Sequence, residues 1–264
     1  MVTHAGQGDA RRSMELLWGL PSGETSARGP KPALTVDAIV AAATDIADAE
    51  GFDAVSMRAV GERLGRTAMA LYTYVPSKGE LVDLMLDRTM EELDVAYDLE
   101  EGWRPAARRW ALDSWEFYLR HPWLHRIWTA RPVLGPGSYA AMEQPAAIFA
   151  SAGLSGPDVM KVVGMVSAFV LGLTRQVTEL REVTAAAGQT EEEWWATTSG
   201  ILTELVPDVD DRYPTLARAG AEGAFEFEHE PGHYLEQETR NAFEFGLDRM
   251  LDGVEAYLTS VRKV

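Results

Sequence analysis

An all-helical fold is what this 264-residue chain predicts, and three observations carry the prediction. Apolar residues recur at three- and four-residue spacing in one segment after another, and no alternating run of strand type appears. The segments are opened by Ser, Thr, Pro or Gly and separated by Pro, Gly or Asp-rich turns, the punctuation of helices. The chain has no cysteine, so neither disulfides nor cysteine-based zinc sites enter, and its length is ample for a hydrophobic core.

Residues 1–34 hold five Gly and three Pro and lack a long amphipathic period, so an extended or mobile arm is expected there. Within it SMELLWG allows one helical turn anchored by Leu16, Leu17 and Trp18. Arg28 and Lys31, flanking Gly29-Pro30 and followed by Pro32, sit on backbone held extended by proline and suit the minor groove of DNA. A solvated tail has the same composition.

Thr35 caps a helix to Glu50 with Ile39, Val40, Ala43, Ile46 and Ala47 on its buried face, and Gly51 stops it. Ser56 caps a second helix carrying Met57, Val60 and Leu64, closed by Gly65. Thr67 caps a short third one carrying Met69, Ala70, Leu71 and Tyr74. Gly61 presents no side chain where the two short helices must cross, as a helix-turn-helix requires, and the last helix is left able to enter a DNA groove. Between Ser56 and Lys78, four cations (Arg58, Arg63, Arg66, Lys78) face Glu62 alone, in a chain of net charge -17. That island suggests a phosphate-facing surface. Residues 1–90 carry net -3 and the remainder -14, and salt screens the distant acidity beyond about 8 Å.

Ser77 caps a fourth helix expected from Lys78 to Tyr97. Further helices are expected at 103–119, 122–130, 138–152, 157–183, 190–204 and 236–262. The longest apolar run, Val162 to Thr174, is too short for a bilayer and reads as a buried helix. No secretion signal is visible, which with the missing cysteines fits the cytoplasm.

The run TVDAIVAAATDIADAEGFDAVSMRAVGERLGRTAMALYTYVPSKGELVDLM, residues 35–85, resembles the DNA-binding domain of the TetR family of transcriptional regulators. The resemblance rests on A-x-x-x-x-A-D-x-E-G ahead of the two short helices and L-Y-x-Y-V-x-x-K after them. WRPAARRWALDSWEFYLRHPWLHRIWTARP, SAGLSGPDVMKVVGMVSAFVLGLTRQVTEL and NAFEFGLDRMLDGVEAYL are similar, more loosely, to the regulatory domain of the tetracycline-repressor branch. With the arm at 1–34 read from composition, the resemblance implies a three-helix DNA-binding domain (35–80) and a larger helical effector-binding and dimerisation domain (81–264). It places Arg58, Arg66, Thr67, Tyr72, Tyr74 and Lys78 toward operator DNA, with Ala68 and Met69 offering apolar contact to thymine methyls. It also implies a homodimer built by helices 157–183 and 236–262.

In that branch a histidine before the motif matched by Ala130-Arg131-Pro132 helps to bind magnesium with the drug. This chain has Ile127 in that register, and Gln176 near the partner acidic position, which argues against a tetracycline-magnesium effector. Trp103, Trp110, Trp115, Trp123 and Trp128 suggest an aromatic-lined cavity for a flat or hydrophobic molecule, with Trp110 and Trp128 as its walls and Arg131 and Gln176 as polar contacts. No cofactor, metal or catalytic residue is expected. His229 to His233 spells H-E-x-x-H, but Pro231-Gly232 prevents the continuous helix a zinc protease needs. Gly135-Pro136-Gly137-Ser138 has no strand leading into it and reads as a helix start, not a dinucleotide loop. The competing class is a helical enzyme or carrier in which residues 35–85 are scaffold.

Overall fold

The computed structural model describes residues 3–4, 9–20, 34–128, 132–225 and 234–261. Arg28, Lys31, Arg131 and the His229 to His233 motif lie outside them. The chain divides into two compact units, Met1–Thr174 with Leu247–Val264, and Arg175–Gly246.

The first unit opens with a two-residue strand β1 (Thr3–His4) and α1 (Ala10–Leu17). α1 is two turns long where one was expected. Asp9 caps it by accepting from the Arg12 amide at 2.9 Å, and Leu16 and Leu17 pack against the main core. Part of the expected mobile arm is therefore built into the unit. α2 (Val36–Glu50) starts where Thr35 Oγ1 accepts from the Ala38 amide and stops at Gly51, φ 85°. A 3-10 turn (Phe52–Ala54) leads to α3 (Met57–Leu64), capped by Ser56, and α4 (Ala68–Tyr72), capped by Thr67.

α5 (Lys78–Met90) is buried on almost every side: Leu81, Val82, Leu84, Met85 and Leu86, and also Glu80, Asp83 and Asp87. It stops short of the expected Tyr97, becoming a 3-10 turn at Glu91–Leu93. Glu91, Glu92, Asp94 and Asp98 put negative charge at the negative end of the helix dipole, which disfavours continuation.

α6 (Trp103–Arg120) runs as expected, but the helix expected at 122–130 does not form. Pro122–Arg126 is a 3-10 turn, and Ile127–Trp128 is a strand, β2, paired in parallel with β1 at Thr3 to Ile127 and His4 to Trp128. The pairing with a distant segment draws the backbone out of the helical region, a tertiary effect that local periodicity does not carry. α7 (Pro136–Ser151) begins with proline at its first position, and α8 (Gly156–Ala187) follows.

One cluster joins α2 to α5 with the start of β2: Ile39, Val60, Leu71, Leu81, Met85, Phe117, Trp123 and Ile127 share it. Polar ties cross the same region. His121 bonds Asp48 through Nδ1 at 2.8 Å and Glu92 through Nε2 at 3.2 Å, and Trp123 Nε1 donates to Asp48 at 2.6 Å.

The second unit holds the end of α8, then α9 (Glu191–Leu205), α10 (Val209–Arg212), α11 (Pro214–Ala221) and the start of α12 (Tyr234–Val261). Thr190 and Glu193 form a capping box on α9, the structural role that acidic residues at a helix start suggest. Asp208 pairs with Arg212 at 2.8 Å, and among the described residues no group of three or more His, Asp or Glu is poised for a metal.

α8 departs from the buried helix expected. It is long and apolar enough to cross a membrane by length and composition, yet only 22% of its most apolar stretch is buried. Val163, Val166 and Val170 face inward, while Met160, Met165 and Leu171 are exposed.

The crossing of α3 and α4 generates the first prediction. A Cβ on Gly61 would lie 2.8 Å from the Arg66 carbonyl oxygen and 3.3 Å from the Ala68 amide nitrogen, both backbone atoms that no rotamer change can move. Gly61→Ala gains helix propensity of roughly 1 kcal/mol but forces a shift costing about 1 to 3 kcal/mol. The urea midpoint should therefore fall, and a raised midpoint would show that the two helices do not need this close approach.

Candidate DNA-binding face and effector cavity

The turn between α3 and α4 is set by backbone chemistry. Gly65 takes the left-handed conformation (φ 64°), and the Arg66 amide returns to the Gly61 carbonyl at 2.8 Å. Met57, Val60 and Leu71 fix the pair to the core, so α4 can turn only its other side outward. On that side stand Thr67, Met69 (74% exposed) and Tyr72, with Arg58 and Arg66 exposed beside them. Ala68 and Tyr74, also expected at DNA, are half-buried and pack against the core.

The charges of this face are held loosely. Arg58 pairs with Glu62 at 2.8 Å and Arg63 with Glu50 at 3.1 Å, both exposed. Such pairs are worth at most about 1 kcal/mol and exchange readily for phosphate. Lys78 is less free than the sequence suggests: its ammonium donates to the Val55 carbonyl at 2.7 Å and lies 5.3 Å from the centre of the Phe52 ring. An ammonium has three donors, so two remain, and the bond holds the start of α5 against the segment leading into α3.

A cavity of about 430 Å3 lies within the first unit. α5 supplies Leu86 and Met90, α6 supplies Trp110, Ser114 and Tyr118, and the segment Pro132 to Leu134 closes one edge. α7 contributes Ser138, Tyr139, Met142 and Pro145, and α8 contributes Val163, Ser167 and Val170. Among these described lining residues none is charged. The Ser114 hydroxyl donates to the Trp110 carbonyl at 2.8 Å. Desolvation pushes the Tyr118 phenol up to about 12, so it is neutral and able to donate at ordinary pH.

Of the four effector contacts expected, the structure places Trp110 in this wall. The Trp128 side chain and Arg131 lie outside the described residues. Gln176 is exposed, belongs to the second unit and is not among the lining residues. It stands six residues past Val170, about 240° further round the helix. The aromatic wall is also thinner than five tryptophans imply. Trp103 packs on Phe149 with ring centres 6.1 Å apart, Trp115 is in the core, and Trp123 stacks on Phe52. Tyr118, Tyr139 and Met142 were missed. Their signal was present in part, since Trp110, Ser114 and Tyr118 recur every four residues on one face of α6.

Comparison with known proteins agrees with this geometry. Residues 39–85 match the family model described as bacterial regulatory proteins, tetR family, and residues 98–258 match the tetracyclin repressor-like C-terminal domain. The chain belongs to the TetR family. It is similar to the HTH-type transcriptional repressor DrrR1 of Streptomyces coeruleorubidus, 38% identical over 261 residues, covering 98% of this chain and 90% of that one. An HTH-type transcriptional regulator of Saccharopolyspora erythraea is 34% identical over 142 residues, 54% of this chain and 60% of that one. Among solved structures, apo ActR from Streptomyces coelicolor superposes with a TM-score of 0.69 at 25% identity, covering 89% of this chain and all (100%) of that one. ActR in complex with (S)-DNPA gives 0.65 at 26% identity, covering 87% and 100%. The chain is thus a TetR-type DNA-binding regulator, of a family that acts by binding and not by catalysis.

The raised Tyr118 pKa gives a prediction with a definite sign. In the unfolded chain the phenol ionises near pH 10, in the fold at about 12, so its contribution to stability is complete below about pH 10 and is lost as pH rises toward 12. The urea midpoint of Tyr118→Phe should lack that part of the alkaline decline. Parallel declines in the two proteins would show that the phenol is solvated.

Proposed function

We propose that this TetR-family chain is a cytoplasmic repressor that binds a pseudo-palindromic operator as a homodimer and is released by a small, flat, hydrophobic molecule. The observation that carries the effector half is the cavity, with no charge among its described lining residues, walled by α5 itself, the helix that begins beside the DNA-binding face. An occupant that fits one position of α5 better than another changes operator affinity by the difference. That ActR forms a complex with (S)-DNPA supports a ligand-responsive reading of this chain.

At the operator, Thr67, Met69 and Tyr72 reach base edges, with Ala68 and Tyr74 beneath them shaping the face. Arg58 and Arg66 bind phosphates, and Lys78 spends one donor on Val55 and offers the others to the backbone. Arg28 and Lys31 extend this reach into an adjacent groove. Trp110 contacts the effector, with Trp128 and Arg131 as further contacts; Gln176, exposed and outside the lining, is not one of them. The dimer forms through α8 and α12, where Met165, Leu171 and Tyr257 are exposed while Val166, Val170, Leu247 and Leu251 pack inward. Leu251 does not serve that interface: it is 1% exposed in the protomer alone.

A mobility shift on the DNA flanking the protein's own coding region tests the reading, and absence of a shift at low salt would return the scaffold reading to the front. With that DNA, Arg58→Ala should lower the logarithmic salt slope by about 2, one phosphate contact in each protomer, while Met69→Ala should reorder preference among operator variants. Equal slopes would remove Arg58 from the phosphate contacts. For the dimer, Leu171→Asp should give a folded monomer in sedimentation, whereas Leu251→Asp should lower thermal stability by burying an unpaired charge. A dimeric Leu171→Asp protein would move the interface elsewhere.

A further inference from the structure

The Gly135-Pro136-Gly137-Ser138 segment, which carries no nucleotide-binding role, is pressed onto α5 at one buried carboxylate. Asp87 Oδ1 accepts from the Ser138 amide at 2.8 Å and Oδ2 from the Gly137 amide at 3.2 Å. Both donors belong to the first turn of α7, so a side chain on one helix caps another that starts 50 residues later. The fit allows no side chain at either glycine: a Cβ on Gly135 would lie 2.2 Å from Asp87 Cγ, and one on Gly137 would lie 1.9 Å from the Asp87 carbonyl oxygen. Asp87 is 3% exposed, and its bonds to the two amides are charge-assisted in a dry setting, where losing them costs most.

The two helices joined in this way are both walls of the effector cavity. Ser138 and Tyr139, at the start of α7, and Leu86 and Met90, on either side of Asp87 in α5, line it. About two and a half turns before Asp87, α5 begins at Lys78, bonded to the Val55 carbonyl one residue ahead of the Ser56 cap of α3. A rigid, buried helix therefore runs from the latch to the DNA-binding face.

We infer that Asp87 is the positioning residue that couples the cavity to the DNA-binding helices, holding α5 in its DNA-competent place by capping α7. This rests on the function proposed above. An occupant that displaces the start of α7 must move α5 with it, because the capping bonds and the two glycine contacts leave no slack between them. Without the cap, the start of α7 and the placement of α3 and α4 become independent.

The test uses the full chain without any effector. Hydrogen exchange is measured by mass spectrometry for wild type, Asp87→Ala, Asp87→Asn and Gly137→Ala, together with affinity for the DNA flanking the protein's coding region. Asp87→Ala and Gly137→Ala reach the latch from opposite sides, so a folding defect in one leaves the other informative. Faster exchange is expected at 135–142 and also at 56–78, with operator affinity lower by about tenfold in protein that is still folded and dimeric. Asp87→Asn keeps one acceptor for the Ser138 amide and should recover affinity to within about threefold of wild type. Faster exchange confined to 135–142, with unchanged exchange at 56–78 and unchanged DNA affinity, would reduce Asp87 to a local cap and overturn the inference. Failure of wild type itself to bind the DNA would instead sink the proposed function, and the exchange at 56–78 would still decide whether the latch reaches the head.

Discussion

The burial of α5 on nearly every side is the constraint from which the rest of this structure follows. A helix in that position needs partners for its polar groups, and Glu80, Asp87 and Arg88 find them by recruiting other elements. Glu80 accepts from Ser77 at the start of the helix and from the Asp9 amide at 3.3 Å, which brings α1 onto it. Asp87 takes the first turn of α7. Arg88, at the exposed edge, reaches Asp37 of α2 and Glu91. The apolar residues between them bind the same helix to the core of α2, α3 and α4. The helix packed against the DNA-binding face thus also walls the cavity, and Asp87 ties the α7 wall to it.

The N-terminal segment shows how the same logic extends past the expected domain. Trp18 donates from Nε1 to the Leu134 carbonyl at 2.9 Å, and its ring lies 6.1 Å from that of Tyr139. Leu134 and Tyr139 both line the cavity, so the end of α1 braces the rim that Asp87 holds from the other side. On either side of the segment carrying Arg28 and Lys31, Trp18 is bonded to Leu134 and Thr35 caps α2. A deletion of residues 1–33 would remove a packed helix as well as two cations, which makes point substitution the cleaner way to ask what those cations do.

Much of the head was legible because its signals are local. Thr35, Ser56, Thr67 and Ser77 each accept a backbone hydrogen bond two or three residues on, and Gly65 ends α3 in the left-handed region, all from chemistry visible in a few adjacent letters. Gly61 was legible for a different reason, since a helix that must be crossed closely has few other options. What escaped depended on distant partners. β2 forms because residues 3–4 lie beside it, α1 gains a second turn from its packing on α5, and α7 begins under a carboxylate 50 residues earlier in the chain. The cavity lay between these cases. Its tryptophans were identifiable as large apolar groups, but periodicity along α6 could not say that Trp110 would face a void while Trp115 filled the core. Which face of a helix meets empty space is decided by every helix around it.

The chemistry of the cavity bounds how an occupant can work. Allosteric coupling of ordinary strength is about 1 to 3 kcal/mol. In a site whose described lining offers no charge, the difference must come largely from apolar area and a few hydroxyls. At about 25 cal/mol per Å2, some 40 to 120 Å2 more apolar contact in one position of α5 than in the other is enough. That is the area of one or two side chains such as Leu86 and Met90 moving against a flat ligand. Large rearrangement is unnecessary, and the size of the cavity, about 430 Å3, is compatible with a molecule of several fused or linked rings. The neutral phenol of Tyr118 and the serines of α6, α7 and α8 then select among such molecules by where their oxygens fall, because an unmatched polar group buried there costs more than one lost apolar contact. Affinity in this site follows from shape and area, and discrimination from a handful of hydroxyl groups fixed on three different helices.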